Sequence, residues 1–219
     1  MDWSGEWWVL ILGPGLVILV VGILYFTRSR AFRFRSAAAQ LGLIALQGLN
    51  PITEQDKNKS NLFSRAPGGK ISNLFGDRVK NPSRLVFDFF DAAGSPAGAD
   101  RKQTVAAFAA ADGVPDFQLI PTSSTNAVPP SSGLQNIRLD SDFGRRYSLR
   151  AENESAVRIL FSDVLVDRLS AAASGAEWSV EKAGAWLLVY RHNVLFPPVS
   201  IAESFQGART VASVFLEVR

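Results

Sequence analysis

Cysteine is absent from this 219-residue chain, and histidine occurs once, as His192. The first absence excludes disulfides and thiolate metal sites, and the second excludes a histidine pair around a metal. His192 has Arg191 before it and Asn193 after it at the end of a predicted strand, so it reads as a surface or hairpin-end residue. No GxSxG, HExxH or GxGxxG occurs. The stretch PGGKIS carries Gly69-Lys70, but a phosphate loop needs a glycine where Arg65 stands and a hydroxyl where Ile71 stands. Asp88 and Asp91 lie three apart in a predicted strand, on opposite faces, which is poor geometry for a carboxylate or metal pair. Asp140 and Asp142 could share a face, yet no calcium-loop spacing surrounds them, and Ser95 lacks a nucleophile elbow. No cofactor or metal is expected, and catalysis is the lesser reading.

Charge is also sparse. The chain carries 23 Lys and Arg against 20 Asp and Glu, a net +3. Most of that excess sits in the first 35 residues, where Arg28, Arg30, Arg33 and Arg35 face only Asp2 and Glu6. The rest is nearly neutral, with isolated basic doublets such as Arg101-Lys102 and Arg145-Arg146, so no nucleic-acid partner is expected.

What is present begins with WWVLILGPGLVILVVGILYF, residues 7 to 26, without a charged side chain. Twenty residues at about 1.5 Å each make roughly 30 Å of helix, the thickness of a hydrocarbon core. The stretch is too long, and its leader too acidic, for a signal peptide. It is expected as a transmembrane helix over 7–27, with Trp7, Trp8 and Tyr25 as interfacial rings. Arg28, Arg30, Arg33 and Arg35 then mark the cytoplasmic flank. The expected division is a short extracytoplasmic N-terminus (1–6), the span (7–27), a basic juxtamembrane segment with a short helix and polar connector (28–63), and a soluble domain (64–219). A helix is expected within 36–49, ended by Asn50-Pro51.

Strand-like runs follow: KISNLFG, SRLVFDFFDAA, KQTVAAFAA, DFQLIP, NIRLD and RRYSLRA, read as a meander. TSSTNAVPPSSG is the most loop-like stretch. The period then changes. Val157, Leu160, Phe161, Val164, Leu165 and Leu169 share a helical face over about 154–172, capped by Asn153. EWSVEKAGAWLLVYRH reads as a hairpin turning at Ala183-Gly184, and a second helix over 201–217 opens on a Ser200–Glu203 capping box. The fold class expected is α+β, a mostly antiparallel sheet with helices on one face, behind the membrane helix.

The run NLFGDRV…RLVFDFFDA…RKQTVAAFAA…VPDFQLIP (73–121), with GRRYSLRAENESAVRILFSDVL after it, resembles a group of uncharacterised bacterial proteins with a hydrophobic N-terminal segment and a soluble C-terminal region. The matching features here are Phe87-Asp88, Gln103 to Val105, Pro115 to Pro121 and Glu152 to Leu165. The resemblance covers about half the chain and implies a bacterial, membrane-anchored protein, without reaction, substrate or cofactor. With the charge asymmetry, it places the chain in the inner membrane as a single-pass protein, N-terminus outside and C-terminal domain cytoplasmic.

The function expected is a membrane-tethered, non-catalytic interaction module, an accessory subunit whose partners are the lipid bilayer and another membrane protein or copies of itself. Trp178, Trp186 and Tyr190 of the hairpin are its candidate contacts, unless they are ordinary core residues. Two alternatives stand beside it: an enzyme or small-ligand-binding domain at the membrane, and a homo-oligomeric structural protein of the envelope.

Overall fold

The computed structural model describes residues 21, 30–64, 66, 68–91, 101–111, 113–125, 133–139, 142–173 and 175–217. Helix α1 (residues 30–40) opens the fold. Then come β1 (Ile44–Ala45), α2 (Glu54–Lys59), α3 (Asn61–Ser64), β2 (Lys70–Gly76), β3 (Arg84–Asp91) and β4 (Arg101–Ala109). The middle of the chain forms β5 (Phe117–Pro121), α4 (Thr122–Thr125), β6 (Gln135–Ile137), α5 (Asp142–Arg146) and β7 (Tyr147–Ala151). It closes with α6 (Glu154–Leu160), α7 (Asp163–Ala172), β8 (Ser179–Ala183), β9 (Trp186–Tyr190) and α8 (Ile201–Leu216).

The strands form one nine-stranded antiparallel sheet in the order β1-β2-β3-β4-β9-β8-β5-β7-β6. The expected meander holds only from β1 to β4. The late hairpin β8–β9 is inserted between β4 and β5, with Val105 opposite Tyr190 and Leu119 opposite Val180. Every residue of β8 and β9 is buried, as central strands require.

Helices cover both faces, which corrects the one-face expectation. The reason lies in the central strands, whose side chains are apolar on either side. Val86, Ala106, Phe108, Leu187 and Val189 meet a large core built from α1 and α6 to α8. Their neighbours Leu85, Phe87, Phe89, Val105, Ala107, Leu188 and Tyr190 meet a smaller one under α2 and α3. Period-two alternation sends successive apolar residues to opposite faces, so each face needs a cover.

Two helices depart from their expected form. The segment 154–172 breaks into α6 and α7 at Phe161 (φ −84°, ψ 49°), whose backbone leaves the helical region. Asn153 caps α6 as expected, its Oδ1 accepting from the Ala156 amide at 3.0 Å. Ser200 precedes α8 without a side-chain cap bond, so the expected capping box is absent. The helix expected within 36–49 stops by residue 40. Gly42 takes φ +70° and the Leu43 amide donates back to the Ala38 carbonyl at 2.9 Å, which ends α1 and turns the chain into edge strand β1.

The expected transmembrane architecture is also corrected. Among the described residues no helix is long and apolar enough to cross a membrane. The 7–27 segment, with Trp7, Trp8 and Tyr25, lies outside the described residues apart from Val21, and so does Arg28. The single-pass, inner-membrane localisation and its orientation therefore do not stand. The arginines that suggested the orientation have another use in α1: Arg30 forms an ion pair with fully buried Asp88 at 3.0 Å. Residues 30–63, expected to link a span to a domain, are part of the fold itself; Phe34, Ala38, Leu43, Ile52 and Leu62 are all buried.

Candidate ligand-binding groove

A groove of about 1160 Å³ lies at the β1–β2 edge of the sheet. Its origin is the shortness of β1. Two residues of β1 pair only with Phe75 and Gly76, and the Leu46 amide adds one bond to the Leu74 carbonyl at 3.0 Å. Among the described residues, no strand lies beside the outer edge of β2 from Lys70 to Asn73. The walls are α1 on one side and the 45–50 turn, α2 and α3 on the other.

Helix α1 separates its duties by angle. At about 100° per residue, Arg30, Phe34, Ala37 and Ala38 fall on one face, and Ala31, Phe32 and Arg35 on the adjoining one. The first set enters the sheet side, where Phe34 stacks on Phe75 with ring centroids 5.4 Å apart. The second set lines the groove. The position of α1 is held by a buried polar cluster. Arg30 donates from Nη2 to Asp88 Oδ1 at 3.0 Å and from Nη1 to the Phe196 carbonyl at 3.1 Å. Asp88 also accepts from Asn73 Nδ2 at 2.9 Å and Thr104 Oγ1 at 2.6 Å, so its charge is paired and its lone pairs are used.

Asn73 reaches Asp88 from a bulge in β2, between Ser72 and Phe75, where its φ is +48°. Asparagine tolerates that left-handed conformation better than most residues with a Cβ. The floor is aromatic. Phe63 meets Phe89 edge-on at 5.1 Å, and Gly69 lets the backbone pass against them. A Cβ on Gly69 would stand 2.3 Å from the Phe89 ring and 2.9 Å from the Ala66 carbonyl oxygen.

The rim is amphipathic. Phe32 is 71% and Leu49 50% exposed, large apolar side chains with no cover among the described residues. Beside them stand Gln47, Asn50, Asn58, Ser64 and Ser72, with the cations Arg35, Lys57 and Lys70 and one carboxylate, Glu54. Lys57 Nζ donates to Glu54 Oε1 at 2.6 Å. Apolar surface of this kind beside dispersed hydrogen-bonding groups suits a ligand with a hydrocarbon part and a polar part.

The residues singled out in the sequence scatter. Arg30 is consumed by Asp88, Arg33 is exposed, and Arg35 alone lines the groove. Trp178, Trp186 and Tyr190 are 6%, 5% and 3% exposed, which leaves little surface for a partner. The Trp178 ring packs edge-on against Phe196 at 6.0 Å, and the Tyr190 hydroxyl donates to Glu181 Oε1 at 2.5 Å. His192 is half-buried in the turn after β9. Gly69-Lys70 is the turn into β2, as its failed phosphate-loop spacing implied. Ser95 and Asp140 lie outside the described residues. The groove residues were missed because they come from six elements, none with a motif. The usable signal was modest: Phe32 and Leu49 are apolar residues off the core-facing pattern of their segments.

No family model and no curated protein matches the chain. Its fold is similar to that in the crystal structure of the mycobacterial trehalose monomycolate transport factor A, TtfA. The TM-score is 0.57 at 14% identity, over 85% of this chain and 94% of that one. At that identity the likeness is one of fold. The resemblance to a group of membrane-anchored bacterial proteins is thereby corrected: no family model supports it, and no described helix can span a membrane. The reading as a membrane-tethered interaction module falls with the span on which it rested, and the small-ligand alternative gains from the groove.

Proposed function

We propose that this chain is a binding module for a single amphipathic, lipid-like molecule held in the β1–β2 edge groove. The observation that carries the proposal is the groove itself, with its aromatic floor of Phe63 and Phe89, exposed Phe32 and Leu49, and polar rim. Its size, about 1160 Å³, is somewhat above the roughly 300–1,000 Å³ common for small-molecule sites. The fold likeness adds support, because the similar structure is named for the transport of trehalose monomycolate. A lipid-like molecule is thereby proposed as a partner, where the sequence led to the expectation of a bilayer with another membrane protein or copies of the chain.

The test is a fluorescence titration with a dansyl-labelled single-chain lipid below its micelle concentration. Saturable binding at one molecule per chain is expected. Phe32→Asp and Leu49→Asp each remove an apolar contact and add a charge, so each should weaken binding by roughly 10-fold or more. Val164→Asp alters an equally exposed valine on α7, away from the groove lining, and should leave affinity unchanged. Absence of saturable binding, or equal affinity in all three variants, overturns the proposal.

A further inference from the structure

We propose that the groove selects an acidic head group, a phosphate or carboxylate carried on the amphiphile, through Arg35 and Lys70. This rests on the groove being the ligand site and adds the chemical class of its ligand. Among the described residues, three cations line the groove against one carboxylate. That carboxylate, Glu54, is paired with Lys57 within the same turn of α2, so the two largely cancel. Arg35 and Lys70 have no acidic partner among the described residues, and both are exposed. Other cations of the described residues have acidic partners: Arg30 has Asp88, and Lys59 and Lys182 share Asp116.

The two cations approach from different elements. Arg35 projects from the groove face of α1, and Lys70 begins β2 directly after the Gly69 turn. The same lining holds the Ser72 hydroxyl and the side chains of Gln47, Asn50, Asn58 and Ser64. A phosphate presents several acceptor oxygens, and a guanidinium and an ammonium together supply donors as well as opposite charge. The hydrocarbon part then lies against Phe32, Leu49 and Phe63. A neutral sugar head would satisfy the amides and hydroxyls but leave both cations without their counter-charge.

The experiment compares dodecyl phosphate with dodecyl maltoside, two heads on one chain length, each below its micelle concentration and competing with the dansyl lipid. The phosphate is expected to bind about 10-fold tighter at low salt, and the advantage should shrink as salt rises. In Arg35→Gln/Lys70→Gln the phosphate should lose that advantage while maltoside affinity stays the same. Both side chains are exposed, so the variant should keep the wild-type melting temperature, which is measured alongside. Inorganic phosphate alone should compete weakly, because it lacks the chain. Equal or tighter binding of the maltoside overturns the inference and leaves the groove proposal standing. So does a phosphate advantage that survives in the double variant. Binding of neither ligand removes both. Association only with phosphatidylglycerol vesicles, without uptake of monomeric dodecyl phosphate, assigns the cations to a membrane surface and overturns the inference.

Discussion

The two faces of the sheet bury charge in different ways. Under the longer helices Asp88 is neutralised by a guanidinium, with Asn73 and Thr104 completing its hydrogen bonds. On the face beneath α2 and α3, Glu181 is fully buried with hydrogen bonds from neutral groups: the Ser60 hydroxyl at 2.7 Å, the Leu62 amide at 3.2 Å and the Tyr190 hydroxyl. The covers differ accordingly. Helix α8 is sixteen residues long and lays Ile201, Phe205, Ala208, Val211, Ala212 and Phe215 into the core. Helices α2 and α3 have six and four residues, too few to hold by an apolar stripe alone. They are tied down by polar bonds instead, through Glu181 and through Asp56. Asp56 takes part in a capping box with Thr53 and accepts from the Ala185 amide at 2.9 Å. A broad apolar cover supplies its own adhesion, whereas a small one needs directed bonds at its ends.

The largest expected effect tests the broad face. Phe205, 1% exposed and against the Phe108 ring at 5.6 Å, is replaced in Phe205→Ala. A loss of about 4 kcal/mol is expected. That corresponds to roughly 8–16 °C in melting temperature for a chain of this size. Next, Asp88→Ala strands the Arg30 guanidinium, partly relieved by its contact with water, and should cost about 3 kcal/mol. Native-state hydrogen exchange should show the loss first in α1, and uniform exchange across the fold would contradict the role given to the pair. On the other face, Glu181→Ala leaves three donors without their acceptor, for about 2–3 kcal/mol, while Tyr190→Phe removes one bond for about 1 kcal/mol. If Glu181→Ala proves neutral in denaturant unfolding, packing rather than polar bonds holds α2 and α3.

The smallest effect is one of pH. Burial pushes the Asp77 carboxyl up, but bonds from the Ser83 hydroxyl and amide and the Arg84 amide, with the Arg78 charge, bring it below its ordinary 3.8. An acid with a depressed value in the fold stabilises it above the ordinary value and loses that contribution as pH falls through the lower one. Asp77→Asn should therefore cost about 1 kcal/mol at neutral pH. Its melting curve should converge on wild type as the pH drops below 3.8. A gap that stays constant into acid would assign the effect to shape and not to charge.

Some of this was legible in the chain, and the reasons are local. The hairpin 179–190 and helix α8 were readable because turn chemistry and apolar spacing act between near neighbours. Val164 shows where such reading fails. It belongs to the apolar spacing of 154–172, yet it is 70% exposed, because the break at Phe161 resets the helical phase between α6 and α7. The FDFFD strand was legible around Asp88, but the partner that neutralises it, Arg30, stands 58 residues earlier, in a run read as a membrane flank. Charge bias in a sequence does not separate a lipid-facing arginine from one that reaches a buried carboxylate.

By itself, then, the sequence determined most element types and the antiparallel α+β class, both consequences of period and of side-chain volume. Tertiary structure decided that β8–β9 enters between β4 and β5, since strand order depends on which long-range pairing buries the most apolar surface. It also decided the groove. A groove exists where the two-residue β1 fails to cover β2, lined by residues of α1 and of α2 and α3. No local pattern encodes such a gap, because it is made by the lengths of elements that meet only once the chain has folded.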